Sequence, residues 1–184
     1  MRLTQAQIKG RIKNLAKENK ADPRVLMRIY MMERFLERIA VSDYADRFVI
    51  KGEILVTSLV GVSMRSTMDI DTSVRNYELS EEEMLPMIRA ICSIDLDDGV
   101  TFKIKEVSHI MDEMEYPGLR LAMDAFLGEM ATPIKIDIST GDVITPGAIE
   151  YDYTLMLESR AIKLWSYNLE TILAEKMQTI LARG

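Results

Sequence analysis

Asp69 and Asp71 stand two apart in the run Arg65-Ser66-Thr67-Met68-Asp69-Ile70-Asp71, and Asp137 sits between isoleucines in Pro133-Ile134-Lys135-Ile136-Asp137-Ile138-Ser139. Residues two apart on a strand face the same side. Asp69 and Asp71 would therefore point together, with Met68 and Ile70 on the opposite face. Carboxylates held side by side raise each other's proton affinity, and a hard cation between them removes that cost. Mg2+ is commonly held by one or two carboxylates plus substrate phosphates. In the second run the isoleucines share one face, and Lys135, Asp137 and Ser139 share the other. If this strand lies beside residues 68–74, Asp69, Asp71 and Asp137 form a metal site. Three carboxylates can hold two metal ions for in-line phosphoryl transfer, one activating the attacking hydroxyl and one binding a triphosphate. The plain alternative is an antiparallel sheet with one wet, charged face.

Other residues could serve the same chemistry. Lys51-Gly52 follows a short strand and precedes a helical segment, a place where backbone N–H groups approach a phosphate closely. Lys51 would add a point charge for the triphosphate; an ordinary turn is the competing reading. Arg65, just before the carboxylate pair, is a further candidate for phosphate contact. Lys176 follows Leu169 by seven residues, so it falls on the apolar stripe of the last helix. There it must snorkel outward or meet an anion, either a nucleotide phosphate or a structural carboxylate. Glu170 and Glu175 read as surface residues or salt-bridge partners. His109 is the only histidine and Cys92 the only cysteine, so a Ser–His triad or a histidine-rich zinc site is not expected.

The elements that must position these groups follow from periodicity and caps. Residues 3–19 read as a helix capped by Thr4, and Asp22-Pro23 opens a second helix to about Ile39. Residues 47–50 read as a strand, 53–60 as a short helix closed by Gly61, and 68–74 as a strand. Ser80 and Glu83 form a capping box for a helix to about Ile94. Strands are expected over 101–108, 118–126 and 131–139. Residues 154–165 read as a short strand or helix, and 168–182 as an amphipathic helix capped by Asn168. Helices followed by a mixed sheet with helices give an α/β (α+β) layout. Residues 1–40 form an N-terminal helical segment packed on the core, and 41–184 the main domain.

Composition fits this reading. The 184 residues are 48% hydrophobic and 28% charged, enough for one sizeable core. No apolar run is long enough to span a membrane, no secretory h-region opens the chain, and a single cysteine suits a reducing cytosol; a cytoplasmic protein is expected. The net charge of −6 does not advertise general affinity for a polyanion. Basic residues nevertheless outnumber acidic ones over residues 1–38, either as a local basic patch or as a solvated helical face.

Taken in order, Phe48-Val49-Ile50-Lys51-Gly52, Arg65-Ser66-Thr67-Met68-Asp69-Ile70-Asp71, Lys135-Ile136-Asp137 and Leu173-Ala174-Glu175-Lys176 resemble the AbiEii/AbiGii toxin family, over roughly residues 45–184. The resemblance implies a nucleotidyltransferase fold of the DNA polymerase beta type, Mg2+, and an NTP donor. It also implies transfer of a nucleotide to an RNA hydroxyl, with tRNA as the expected acceptor, in a phage-defence (abortive-infection) or toxin–antitoxin role. By motif match Asp69 and Asp71 are implied as metal ligands, Asp137 as the third acidic residue, Lys176 as a catalytic residue, and Lys51, Gly52, Arg65 and Thr67 as nucleotide-site residues. A genetically linked antitoxin is implied, direct contact with it is not. Two departures stand out. Glu53 occupies a position where the family usually has glycine, and its carboxylate would repel phosphates. The chain stops at Gly184, eight residues after Lys176, where the family continues into a helical C-terminal region. These departures keep a second class open, an impaired or truncated module that binds nucleotide or a partner, including a homodimer through helix 168–182. A small-molecule, aminoglycoside-type nucleotidyltransferase is the alternative within enzymes.

Overall fold

The computed structural model describes residues 3–60, 69–75, 80–110 and 118–183. Thr4 begins the first helix, α1 (Gln5–Asn19), through the capping box its side chain makes with Gln7. Asp22 accepts the Arg24 N–H and Pro23 presets the first turn of α2 (Pro23–Val41). Then come β1 (Phe48–Lys51), α3 (Gly52–Val60), β2 (Ile70–Val74) and α4 (Glu81–Ser93), the last capped by Ser80. The long strands β3 (Val100–Ile110), β4 (Gly118–Leu127) and β5 (Met130–Ser139) follow, then β6 (Ile149–Thr154), β7 (Ala161–Ser166) and α5 (Leu169–Arg183).

The strands make one seven-stranded mixed sheet in the order β3-β4-β5-β2-β1-β7-β6. The pairs β2/β5 and β1/β7 are parallel and the others antiparallel. This is the mixed α/β architecture expected from the sequence. Alternation gives the sheet its two characters. Ile50, Ile70, Thr72, Leu119, Leu121, Ile134, Ile136 and Ile138 are buried in one core together with Leu26, Ile29, Phe35, Leu36 and Ile39 of α2. Ile8, Ile12 and Ala16 of α1 belong to the same core. The helical N-terminus and the sheet therefore share apolar burial, the main favourable term in folding.

Ionisable side chains fix α2 in place. Arg38, 1% exposed, donates to both Asp98 carboxylate oxygens (2.8 and 2.9 Å) and to the carbonyls of Arg34, Ile94 and Val100. Arg34 pairs with Glu37 and Glu158, and Arg160 closes the same group. Glu33, 2% exposed, accepts the Met156 N–H on both oxygens of its carboxyl group.

One expectation is corrected. Residues 154–165 are neither one strand nor a helix; they hold the end of β6, a turn and most of β7, an antiparallel hairpin in register from Ile149↔Ser166 to Thr154↔Ala161. The apolar residues Leu155, Met156 and Leu157 run through the turn and hide its position in the sequence. Helix α5 forms where the sequence places it, with Leu169, Leu173, Met177 and Ile180 exposed and Thr171 and Ile172 buried. Asn168 sets that orientation: its side chain accepts the Thr171 N–H at 2.8 Å and donates to the carbonyls of Thr145 and Gly147 at 2.9 Å. Gly61, Arg65, Thr67 and Met68 lie outside the described residues. Among the described residues, no helix is long and apolar enough to cross a membrane.

Candidate active site

Strand register brings the site together. Lys51 is opposite Asp71, Asp71 is opposite Asp137, and Asp137 is opposite Arg120. The four residues form one row across β1, β2, β5 and β4, on the face away from the buried isoleucines, with charges in the order plus, minus, minus, plus. Tyr167, just beyond β7, extends the row, with Lys51 Nζ 5.7 Å from its ring centroid.

The two central carboxylates have different partners. Arg120 Nε donates to Asp137 Oδ1 at 2.7 Å and Arg120 Nη2 to Oδ2 at 2.6 Å, a two-pronged ion pair. Asp71 instead accepts the backbone N–H of Glu53, at the start of α3. Burial, and then the charge of Asp137, push the Asp71 carboxyl up to about 6 from its ordinary 3.8. The site is therefore rich in negative charge and poorly solvated at Asp71.

Gly52 is required by this packing. Its φ of +70° lies in the left-handed region, which glycine enters at little cost. A Cβ at this position would fall on Asp71 Oδ2 and lie 2.7 Å from Asp71 Cγ. The strand–glycine–helix turn read as a phosphate cradle thus receives an anion of the protein itself, the Asp71 carboxylate. Glu53 sits in the first turn of α3, where a negative charge favours the helix dipole.

Lys51 is engaged on its far side. Its Nζ donates to Ser139 Oγ and Asp142 Oδ2, both at 2.7 Å, and Ser139 Oγ donates to the same Asp142 oxygen at 2.7 Å. These contacts hold the Asp142 carboxyl below the ordinary range against the opposing effect of burial. Glu175 of α5 is half-buried and its carboxyl is raised, chiefly by burial, with Lys51 opposing and Asp142 adding to the rise. The α5 residue that senses the Lys51 cluster is therefore Glu175, which reads from sequence as a surface residue or a salt-bridge partner. Lys176, one residue on, is partly exposed, and its charge opposes the rise at Glu175.

Asp69 lies in the bend just before β2, not in the strand, so strand alternation does not align it with Asp71. Its charge still raises the Asp71 carboxyl. Among the described residues, no three His, Cys, Asp or Glu side chains are grouped to hold a metal ion. The donors Asp71 and Asp137 are all oxygen and face each other, a set whose chemistry suits Mg2+, but Arg120 occupies both oxygens of Asp137. Arg120 is the residue that the sequence reading missed. The two-residue turn Gly128-Glu129, between Leu127 and its partner Met130, could have revealed it. Counting back along both strands from that turn sets Arg120 opposite Asp137.

The chain is a member of a nucleotidyltransferase toxin family. The model of the AbiEii nucleotidyl transferase toxin of type IV toxin–antitoxin systems matches residues 34–184, which cover β1 to α5, and the chain belongs to that family. Among solved structures, JHP933 from Helicobacter pylori is similar with a TM-score of 0.48 and 14% identity, over 83% of this chain and 56% of that one. A second H. pylori chain, described as a candidate nucleotidyltransferase, has a TM-score of 0.48 and 15% identity over 83% and 57%. The chain thus spans little more than half the length of these two structures. No curated protein matches it.

Proposed function

We propose that this chain transfers a nucleotide from an NTP to an RNA hydroxyl, with tRNA as the acceptor and Mg2+ as the cofactor. The observation that carries the reading is the row Arg120–Asp137–Asp71–Lys51 at the centre of the sheet, inside the region matched by the nucleotidyl transferase toxin family. Asp71 and Asp137 would hold the cation, with Asp69 supplying a carboxylate from the adjacent bend. A bound Mg2+ would supply Lewis-acid stabilisation of charge on the transferred phosphoryl group. Lys51, held by Asp142 and Ser139, keeps a fixed positive charge at one end of the row, and Gly52 allows α3 to start against Asp71. As a toxin of a type IV system the chain has a cognate antitoxin, and a phage-defence role follows from the same reading.

The test is transfer of label from each α-labelled NTP to total tRNA with Mg2+, using Asp71→Ala as the control. Label on RNA that vanishes in Asp71→Ala supports the reading. Transfer only to a small cationic acceptor would replace RNA with the small-molecule alternative. The position of Glu53 in the first turn of α3 favours one second reading, a module that binds nucleotide without turning it over. Nucleotide binding without transfer, converted to transfer by Glu53→Gly, would support that reading.

A further inference from the structure

Asp71 and Asp137 face each other in register, yet they do not form an open cation site, because Arg120 takes both Asp137 oxygens at 2.6 and 2.7 Å. We propose that Arg120 is a displaceable counter-ion: it neutralises Asp137 while the site is empty and moves to a nucleotide phosphate when a divalent cation binds between Asp71 and Asp137. This rests on the cation-dependent reading of the site given above.

Three observations carry the exchange. First, the pair is asymmetric in exposure. The Arg120 side chain is 39% exposed and that of Asp137 17%, so the arginine reaches in from solvent while the carboxylate is anchored in a central strand. A long, solvated side chain can leave by rotation alone. Second, the other cation of the row is already committed. Lys51 is held at 2.7 Å by both Asp142 and Ser139 and is 16% exposed, which leaves Arg120, at 39%, as the more exposed cation of the row. Third, the chemistry matches at both ends of the move. A guanidinium that grips a carboxylate with two prongs has the geometry to grip a phosphate in the same way. A partly exposed arginine–carboxylate pair is weak enough to be broken by a competing cation. The opposite role, a fixed pin that orients Asp137 for the cation, makes predictions of the opposite sign.

The test measures Mn2+ binding from the electron paramagnetic resonance of free Mn2+ in the parent, Arg120→Gln, Arg120→Lys and Asp71→Asn, with thermal melting to establish that each is folded. ATP, GTP, CTP and UTP are then titrated separately at saturating Mn2+. Without nucleotide, Arg120→Gln should bind Mn2+ about fivefold more tightly, because the competitor is gone. With Mn2+ present, it should bind the preferred NTP about tenfold more weakly, because a two-pronged phosphate contact is lost. Arg120→Lys should fall between, since an ammonium lacks the fork. Weaker or unchanged Mn2+ binding in Arg120→Gln overturns the exchange; if Asp71→Asn still abolishes Mn2+ binding, the cation site itself stands. An absence of Mn2+ binding in both the parent and Arg120→Gln overturns the cation reading and the exchange together.

Discussion

Replacing Gly52 with alanine should damage the protein through two separable terms. The first is backbone strain: a residue with a Cβ held at φ +70° pays about 1–2 kcal/mol for the left-handed conformation. The second is collision. The new Cβ would fall on Asp71 Oδ2, with Asp71 Cγ at 2.7 Å and Cβ at 2.8 Å, so the carboxylate has to swing away and give up the Glu53 N–H. Losing a hydrogen bond at a poorly solvated acceptor costs roughly 1–3 kcal/mol. Together the terms give about 2–5 kcal/mol, which for a chain of this length lowers Tm by roughly 4–20 °C. The assay is a double-mutant cycle with Asp71→Ala, read by urea denaturation. In the Asp71→Ala background the two nearest colliding atoms are absent and only the Cβ contact at 2.8 Å remains, so Gly52→Ala should cost about 1–3 kcal/mol less than in the parent, the worth of the hydrogen bond that is no longer there to lose. Equal costs in both backgrounds would refute the collision. A cost below about 0.5 kcal/mol in the parent would refute the strain as well, since it falls under the range for a left-handed non-glycine residue.

Three further outcomes are expected. Arg38→Ala should destabilise by about 3–5 kcal/mol, because it leaves Asp98 and three carbonyls without their buried donor; a denaturant midpoint within error of the parent would contradict this. Glu33 keeps its proton to about 8 in the fold against an ordinary 4.5. Its contribution to stability is therefore complete below pH 4.5 and lost as pH rises through 8. Relative to Glu33→Gln, the parent should lose about 3–5 kcal/mol over that interval, and parallel stability–pH curves for the two proteins would reject the assignment. Asp71, raised to about 6, must lose its proton to bind a cation. Mn2+ affinity should therefore climb with pH up to about 6 and level off above it, and an affinity that stays flat from pH 4.5 to 7 would exclude Asp71 as a ligand.

Most elements were legible because they are local. Thr4, Asp22, Ser80 and Asn168 cap the helices assigned to them, and period-two alternation marks the strands that carry Asp71 and Asp137. The short helix after Lys51-Gly52 was readable despite its β-branched content because a glycine separates it from the strand. The hairpin of β6 and β7 was not, since the apolar residues of its turn continue the pattern of its strands. The α5 stripe was visible as a stripe, but which side of it met the core depended on how Asn168 roots the helix in the loop before it.

The sequence by itself determined which residues can do chemistry, which faces of their strands they occupy, and the family to which the chain belongs. Those properties depend on residue type and on near neighbours along the chain. Only the tertiary structure decided who stands beside whom. The parallel pairing of β2 with β5 joins residues 66 positions apart, setting Asp71 against Asp137. The hairpin brings Arg120 onto Asp137, the bend removes Asp69 from the strand alternation, and Asp142 holds Lys51. A strand's own alternation fixes its faces but says nothing about its neighbour or register. Arg120 opposite Asp137 is set by a short hairpin turn, whereas Asp71 beside Asp137 depends on a pairing between distant strands that only the fold supplies.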